Sequence, residues 1–125
     1  MIRILVVDDH HIVREGVARL LAMEHDIEVI GQAATGHEAV RMCREHKPDV
    51  VLLDYGLPDL DGLETTRQIH EMGKQTRILI LTMYTSEEYA TRLLQTGASG
   101  YLIKGAPAEE LLLAVRKVAR GGRYI

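Results

Sequence analysis

Short aliphatic runs alternate along this chain with longer segments in which apolar residues recur every three or four positions. The runs Ile2–Val7, Ile27–Ala33, Asp49–Asp54, Arg77–Thr82 and Gly100–Lys104 are brief and almost continuously apolar, which predicts buried strands. Between them the period becomes helical. Ile12–Glu24 brings Val13, Val17, Leu20 and Leu21 to one face, and a segment from Gly36 through Arg44 does the same for Val40 and Cys43. After the loop YGLPDLDG, broken by Pro58 and Gly62, comes a helix carrying Leu63 and Ile69, with Asp59 and Asp61 read as loop residues that cap it. Thr85-Ser86-Glu87-Glu88 has the form of a capping box whose helix stops at Gly97, and Pro107 suits the first turn of a last helix. In that helix Leu111, Leu112, Val115, Val118 and Ala119 make one apolar stripe, and Leu113 falls opposite it.

Five strands alternating with five helices predict a doubly wound α/β domain, because parallel neighbours need right-handed crossovers that place helices on both faces of the sheet. Chemistry in such sheets collects at the carboxyl ends of the strands. Here those ends read Asp8-Asp9, Asp54, Thr82 and Lys104, while the second strand, ending AATG, brings no such group. The stretch ILVVDDHH thus aims two carboxylates at one place. Keeping both ionised there requires a cation, a helix N-terminus or water.

Composition narrows the function classes. With 125 residues, 46% of them hydrophobic, the chain is most simply one domain with an ordinary core, and a net charge of −3 argues against direct nucleic-acid binding. Without Trp or Phe, the packing falls to Leu, Ile, Val and five Tyr. The single Cys43 excludes an internal disulfide and fits a reducing compartment. No apolar run approaches the roughly 20 residues of a membrane span, and the chain opens on a strand pattern rather than a signal sequence, so a cytoplasmic domain is expected.

Three carboxylates, a hydroxyl and an ammonium on one edge suit Mg²⁺, a hard cation bound through one or two carboxylates together with phosphate. One of the carboxylates also fits the role of nucleophile, since Asp forms acyl phosphates, with Thr82 and Lys104 as donors to phosphoryl oxygens. Each residue taken alone has a plainer reading. Asp9 is a cap or turn residue, Thr82 a strand-end hydroxyl, Lys104 a solvated charge and Tyr101 core packing. Adjacent His10 and His11 at a helix start do not face one ion, so structural or local electrostatic roles fit them better. Arg116, Lys117, Arg120 and Arg123 suit a helix C-terminus better than a DNA patch.

Asp8 and Asp9, Asp54 with Pro58 and Gly62, Thr82 and Lys104 resemble, over essentially the whole chain, the response-regulator receiver domain of bacterial two-component signalling. VVDDHHIVREGV, LTMY, GASGYLIKGA and AVRKVARGGRYI are similar to the NarL/FixJ class, whose receivers precede a LuxR-type helix-turn-helix. No such DNA-binding segment is expected within these 125 residues, which read as the receiver alone. The resemblance implies a flavodoxin-like, CheY-like strand order 2-1-3-4-5. It implies that Asp54 accepts a phosphoryl group from a histidine kinase, and that Asp8, Asp9, Asp54 and the backbone carbonyl of Gly56 hold Mg²⁺. It further implies that Thr82 and Lys104 bind the phosphoryl group, that Tyr101 is an aromatic switch, and that the output passes to dimerisation or to a linked DNA-binding domain controlling transcription. Leu113 is a candidate contact for a second receiver or for that domain.

Some positions depart from the family pattern. Met83 follows Thr82 where many receivers carry Ala or Ser, and its larger side chain is expected to restrict access to the site. Gly56 and Tyr84 occupy positions that tune dephosphorylation, and Gly105 replaces a common Pro, leaving the peptide geometry after Lys104 open. Among competing readings, a haloacid-dehalogenase-type phosphatase would carry DxD after its first strand, where this chain has DDH. A flavodoxin-type FMN binder would need a Thr-, Ser- and Gly-rich loop there. No GK[ST] follows Gly31 or Gly36, which excludes a P-loop. A receiver that dimerises without being phosphorylated is opposed by the intact acidic set and Lys104.

Overall fold

The computed structural model describes residues 1–73, 75–83 and 86–125. The elements follow in strict alternation: β1 (Ile2–Val7), α1 (His11–Ala22), β2 (Ile27–Ala33), α2 (Gly36–His46), β3 (Val50–Asp54), α3 (Gly62–Glu71), β4 (Arg77–Thr82), α4 (Glu87–Thr96), β5 (Gly100–Ile103) and α5 (Ala108–Ala119). All strand pairs are parallel and the order is β2-β1-β3-β4-β5, as the resemblance implies. The chain reverses its direction of growth between β1 and β3, which opens a crevice at their carboxyl ends.

The continuous apolar runs are explained by burial on both faces. Ile4 and Val6 of β1, Val50 and Leu52 of β3, and Leu79 and Leu81 of β4 face one layer, where Ala18 and Leu21 of α1 and Leu111, Val115 and Val118 of α5 cover them. Their neighbours Leu5, Val7, Val51, Leu53, Ile78 and Ile80 face the other, under Ala39, Val40 and Cys43 of α2, Ile69 of α3 and Leu93 of α4. Fully burying each large aliphatic side chain contributes about 1.5–3 kcal/mol, so both layers are needed to hold the strand ends in place. Cys43 reads as packing, with burial pushing its thiol up to about 12.

Several local expectations change. Val13 does not join the buried face of α1; it is 47% exposed, because it borders an open cavity of about 460 Å³ with Val17, Leu81, Leu102 and Leu111 instead of a packed neighbour. Asp61 caps α3 by accepting from the Glu64 amide at 2.8 Å, whereas Asp59 reaches back to the amides of Gly36 and His37 at 2.7 and 2.9 Å and closes the start of α2. The cap of α4 is Ser86, which accepts from the Tyr89 amide at 3.2 Å; Thr85, like Tyr84, lies outside the described residues. After α5 the chain returns to β5. The Tyr101 amide donates to the Tyr124 carbonyl at 2.9 Å and the Tyr124 amide to the Ser99 carbonyl at 3.1 Å, with Gly100 between them.

Candidate functional site

Asp8 and Asp9 stand just beyond β1 and Asp54 is the last residue of β3, so strand pairing in register brings their carboxylates together. Asp8 and Asp54 are both only 3% exposed, while the Asp9 side chain is 31% exposed. Lys104, just past β5, spans the gap: Nζ lies 3.0 Å from Oδ1 of Asp54 and 3.7 Å from Oδ2 of Asp8. The Gly56 amide also points at Oδ1 of Asp54, at 3.4 Å.

The Lys104 ammonium thus lies between two buried carboxylates. Burial is the largest influence on Asp54 and, with the nearby charge of Asp8, it holds that carboxyl above its usual range against the pull of Lys104. Burial works to lower the Lys104 ammonium, but the hydrogen bond to Asp54 and the charges of Asp54, Asp8 and Asp9 outweigh it and keep the group protonated beyond its usual range. Carboxylate oxygens of Asp8, Asp9 and Asp54 and a ring nitrogen of His10 lie within 4.8 Å of one another. A donor set of this kind fits a divalent cation.

Thr82 is 1% exposed at the end of β4, and its hydroxyl donates to the Tyr89 hydroxyl of α4 at 3.3 Å. The Tyr89 ring meets Tyr55 edge to face, with centroids 5.0 Å apart, and Tyr101 packs against the same core layer. Met83 is 71% exposed and Leu113 56% exposed. The Lys104–Gly105 peptide is trans, with Gly105 at φ +91°. Arg116 donates through Nε and one terminal nitrogen to both oxygens of Asp26 at 2.8 Å, and also reaches Glu24, so it ties α5 to the connection between α1 and β2.

Two members of this neighbourhood escape a reading of the sequence. Tyr89 has no motif of its own, and only its placement on the first turn of α4 brings its hydroxyl to Thr82. His10 and His11, adjacent at the start of a helix, face different partners. His11 turns toward Arg14 and Glu15, while Nδ1 of His10 lies 3.2 Å from Asp8 and 3.3 Å from Asp9.

A family model described as the response regulator receiver domain matches residues 4–116. The chain belongs to this family. Over all 125 residues the receiver is 44% identical to the response regulator GacA of Pseudomonas aeruginosa, of which it covers 58%. Over 124 residues, 98% of the chain, it is 47% identical to the oxygen regulatory protein NreC of Staphylococcus haemolyticus, of which it covers 57%. The receiver therefore spans little more than half the length of these relatives. A two-component response regulator of the LuxR family from an Aurantimonas species superposes with a TM-score of 0.93 at 41% identity, covering 98% of this chain and 88% of that one. The receiver is thus of the NarL/FixJ type found in transcription regulators, and domains of this family serve phosphorylation-activated signalling and bind Mg²⁺ at their acidic pocket. A haloacid-dehalogenase-type phosphatase is set aside by this membership. Among the described residues, no helix is long and apolar enough to cross a membrane.

Proposed function

We propose that residues 1–125 act as one receiver switch, resident in the cytoplasm, in which Asp54 takes a phosphoryl group from the phosphohistidine of a histidine kinase. The observation that carries this reading is the Asp54 carboxylate itself, 3% exposed at a strand end, with the Lys104 ammonium 3.0 Å away and Asp8 beside it. In the transfer, the phosphorus–nitrogen bond of the donor breaks and its electron pair stays on the imidazole, which takes up a proton. A phosphorus–oxygen bond forms to Asp54. Positioning and charge neutralisation are what such a transfer requires. Asp8, Asp9 and Asp54, with the Gly56 carbonyl, would hold Mg²⁺, whose chemistry is to neutralise phosphoryl oxygens. Lys104 supplies a fixed positive charge to the same oxygens.

The phosphoryl group then competes for the Thr82 hydroxyl, which exchanges Tyr89 for a phosphoryl oxygen. Release of that hydrogen bond loosens α4 beside Tyr55, and Tyr101 on β5 adjusts in the same layer. The shift reaches α4, β5 and α5, and through them a linked DNA-binding domain or a second receiver at a surface that includes Leu113.

Incubation with acetyl phosphate and Mg²⁺, followed by intact-mass measurement, tests the reading. Wild type should gain one phosphoryl group and Asp54→Asn none. A gain of equal size in the variant, mapped to another residue, would sink the assignment.

A further inference from the structure

His10 is the N-cap of α1, yet its side chain accepts no capping hydrogen bond. Its extended backbone turns the ring toward the acidic pocket instead. The His10 amide donates to Oδ1 of Asp8 at 2.9 Å, and Nδ1 lies 3.2 Å from that oxygen and 3.3 Å from Oδ1 of Asp9. Two ligands at right angles on one ion, each bound at about 2.1 Å, stand about 3.0 Å apart. Nδ1 therefore already holds nearly the spacing of a neighbouring ligand toward two carboxylates. At 65% exposed, the ring has room to complete the approach.

We propose that His10 is a further ligand of the acidic pocket through Nδ1, and that it tunes the site toward a first-row transition ion in preference to Mg²⁺. The proposal rests on the metal-binding reading of Asp8, Asp9 and Asp54 and adds a donor to it. The physical reason is the difference between donors. Mg²⁺ takes oxygen and keeps its waters, whereas affinity for an imidazole nitrogen rises along the series from Mn²⁺ to Cu²⁺. A pocket of carboxylates alone discriminates little on this scale, and one nitrogen changes the order. His11 serves as an internal contrast, since its ring is engaged by Arg14 and Glu15.

The test uses the tag-free chain, titrated calorimetrically with Mg²⁺ and separately with Co²⁺, as wild type, His10→Ala, His11→Ala and Asp9→Asn. His10→Ala should weaken Co²⁺ by about tenfold or more while changing Mg²⁺ by less than about threefold, and His11→Ala should change neither. With Mn²⁺ bound, pulsed electron paramagnetic resonance should show nitrogen coupling from an imidazole in wild type and lose it in His10→Ala. Equal losses for both ions, or no loss, with no nitrogen coupling, would overturn the proposal while leaving the carboxylate site intact. Failure of both ions to bind wild type, or indifference of binding to Asp9→Asn, would overturn the metal reading beneath it as well.

Discussion

The two ends of the sheet handle charge in opposite ways. At the foot, where strands begin, Arg116 forks onto Asp26 and meets Glu24, and Asp49 accepts from the Arg3 amide at 2.8 Å while the Arg3 guanidinium donates to the Lys47 carbonyl at 3.0 Å. At the rim, Asp8 and Asp54 share the one ammonium of Lys104, and Asp9 adds a third carboxylate. The guanidinium of Arg116 holds the Asp26 carboxyl down at about 2, whereas burial holds that of Asp54 above its ordinary range. Charge at the foot is paired and holds the fold together. At the rim it is left short of cation, a deficit that a bound divalent ion would fill under the proposed function.

Filling the deficit gives the largest expected change in stability. An ion bound only by the folded chain stabilises it by mass action, by about 2.7 kcal/mol at a free concentration one hundredfold above Kd. Thermal unfolding with rising Mg²⁺ should show a rising midpoint, and Asp9→Asn should need roughly tenfold more Mg²⁺ for the same shift. If wild type and variant respond identically, the rim is not where the ion binds.

Next comes a change confined to the foot. A methyl group at Gly100 would collide with the Tyr124 carbonyl oxygen, so Gly100→Ala should displace the segment after α5 and cost roughly 1–3 kcal/mol in denaturant unfolding. The acetyl phosphate reaction at Asp54 should be retained. Loss of phosphorylation in this variant would show that the two ends are not independent.

The pH dependence of stability, measured with a chelator present, should carry opposite signs at the two ends. Asp26, depressed to about 2, contributes stability that is present above its ordinary 3.8 and is lost as pH falls toward 2. Asp54, raised above 3.8, favours folding below that value, and the contribution is lost as pH climbs through its elevated titration point. Mild acidification of the metal-free chain should therefore raise the midpoint, and stronger acid should lower it. Asp54→Asn should remove the first effect and Asp26→Asn should reduce the second, the remainder coming from Asp59 and Glu64, which are also held at about 2. An unchanged curve in either variant would break the comparison.

Leu113→Glu is the smallest perturbation, within about 0.5 kcal/mol in stability because the residue is 56% exposed. Its value lies in sedimentation. Phosphorylated wild type should self-associate and the phosphorylated variant should not; equal association would exclude Leu113 from the contact.

Periodicity in the sequence was sufficient to reveal the five strands, the five helices and the strand tips that carry Asp8, Asp9, Asp54, Thr82 and Lys104. These depend on local rules, since a run buried on both faces stays apolar and its first polar residue marks its end. What depends on contacts between distant elements was not legible. Asp59 reads as a cap for the helix that follows it, and only the packing of two loops sends it to Gly36 and His37. Val13 matches the helical stripe, yet it borders an open cavity between α1, the sheet and α5 and stays half exposed. His10 and His11 are the same residue type side by side, and the turn of chain at the start of α1 alone decides which one meets the carboxylates.

The pairing of Tyr124 with β5 bears on how copies of this domain can meet. An open sheet leaves its outer strands with unsatisfied amides and carbonyls, which act as a template for another extended chain and hence for aggregation. On the β5 side the Tyr101 amide and the Ser99 carbonyl are already taken by Tyr124. On the far side, β2 shifts register against β1 between Ile4 and Leu5, and such an irregularity spoils a flat edge. Both features oppose strand addition at the borders of the sheet, and they favour the outer faces of the helices for any contact between receivers.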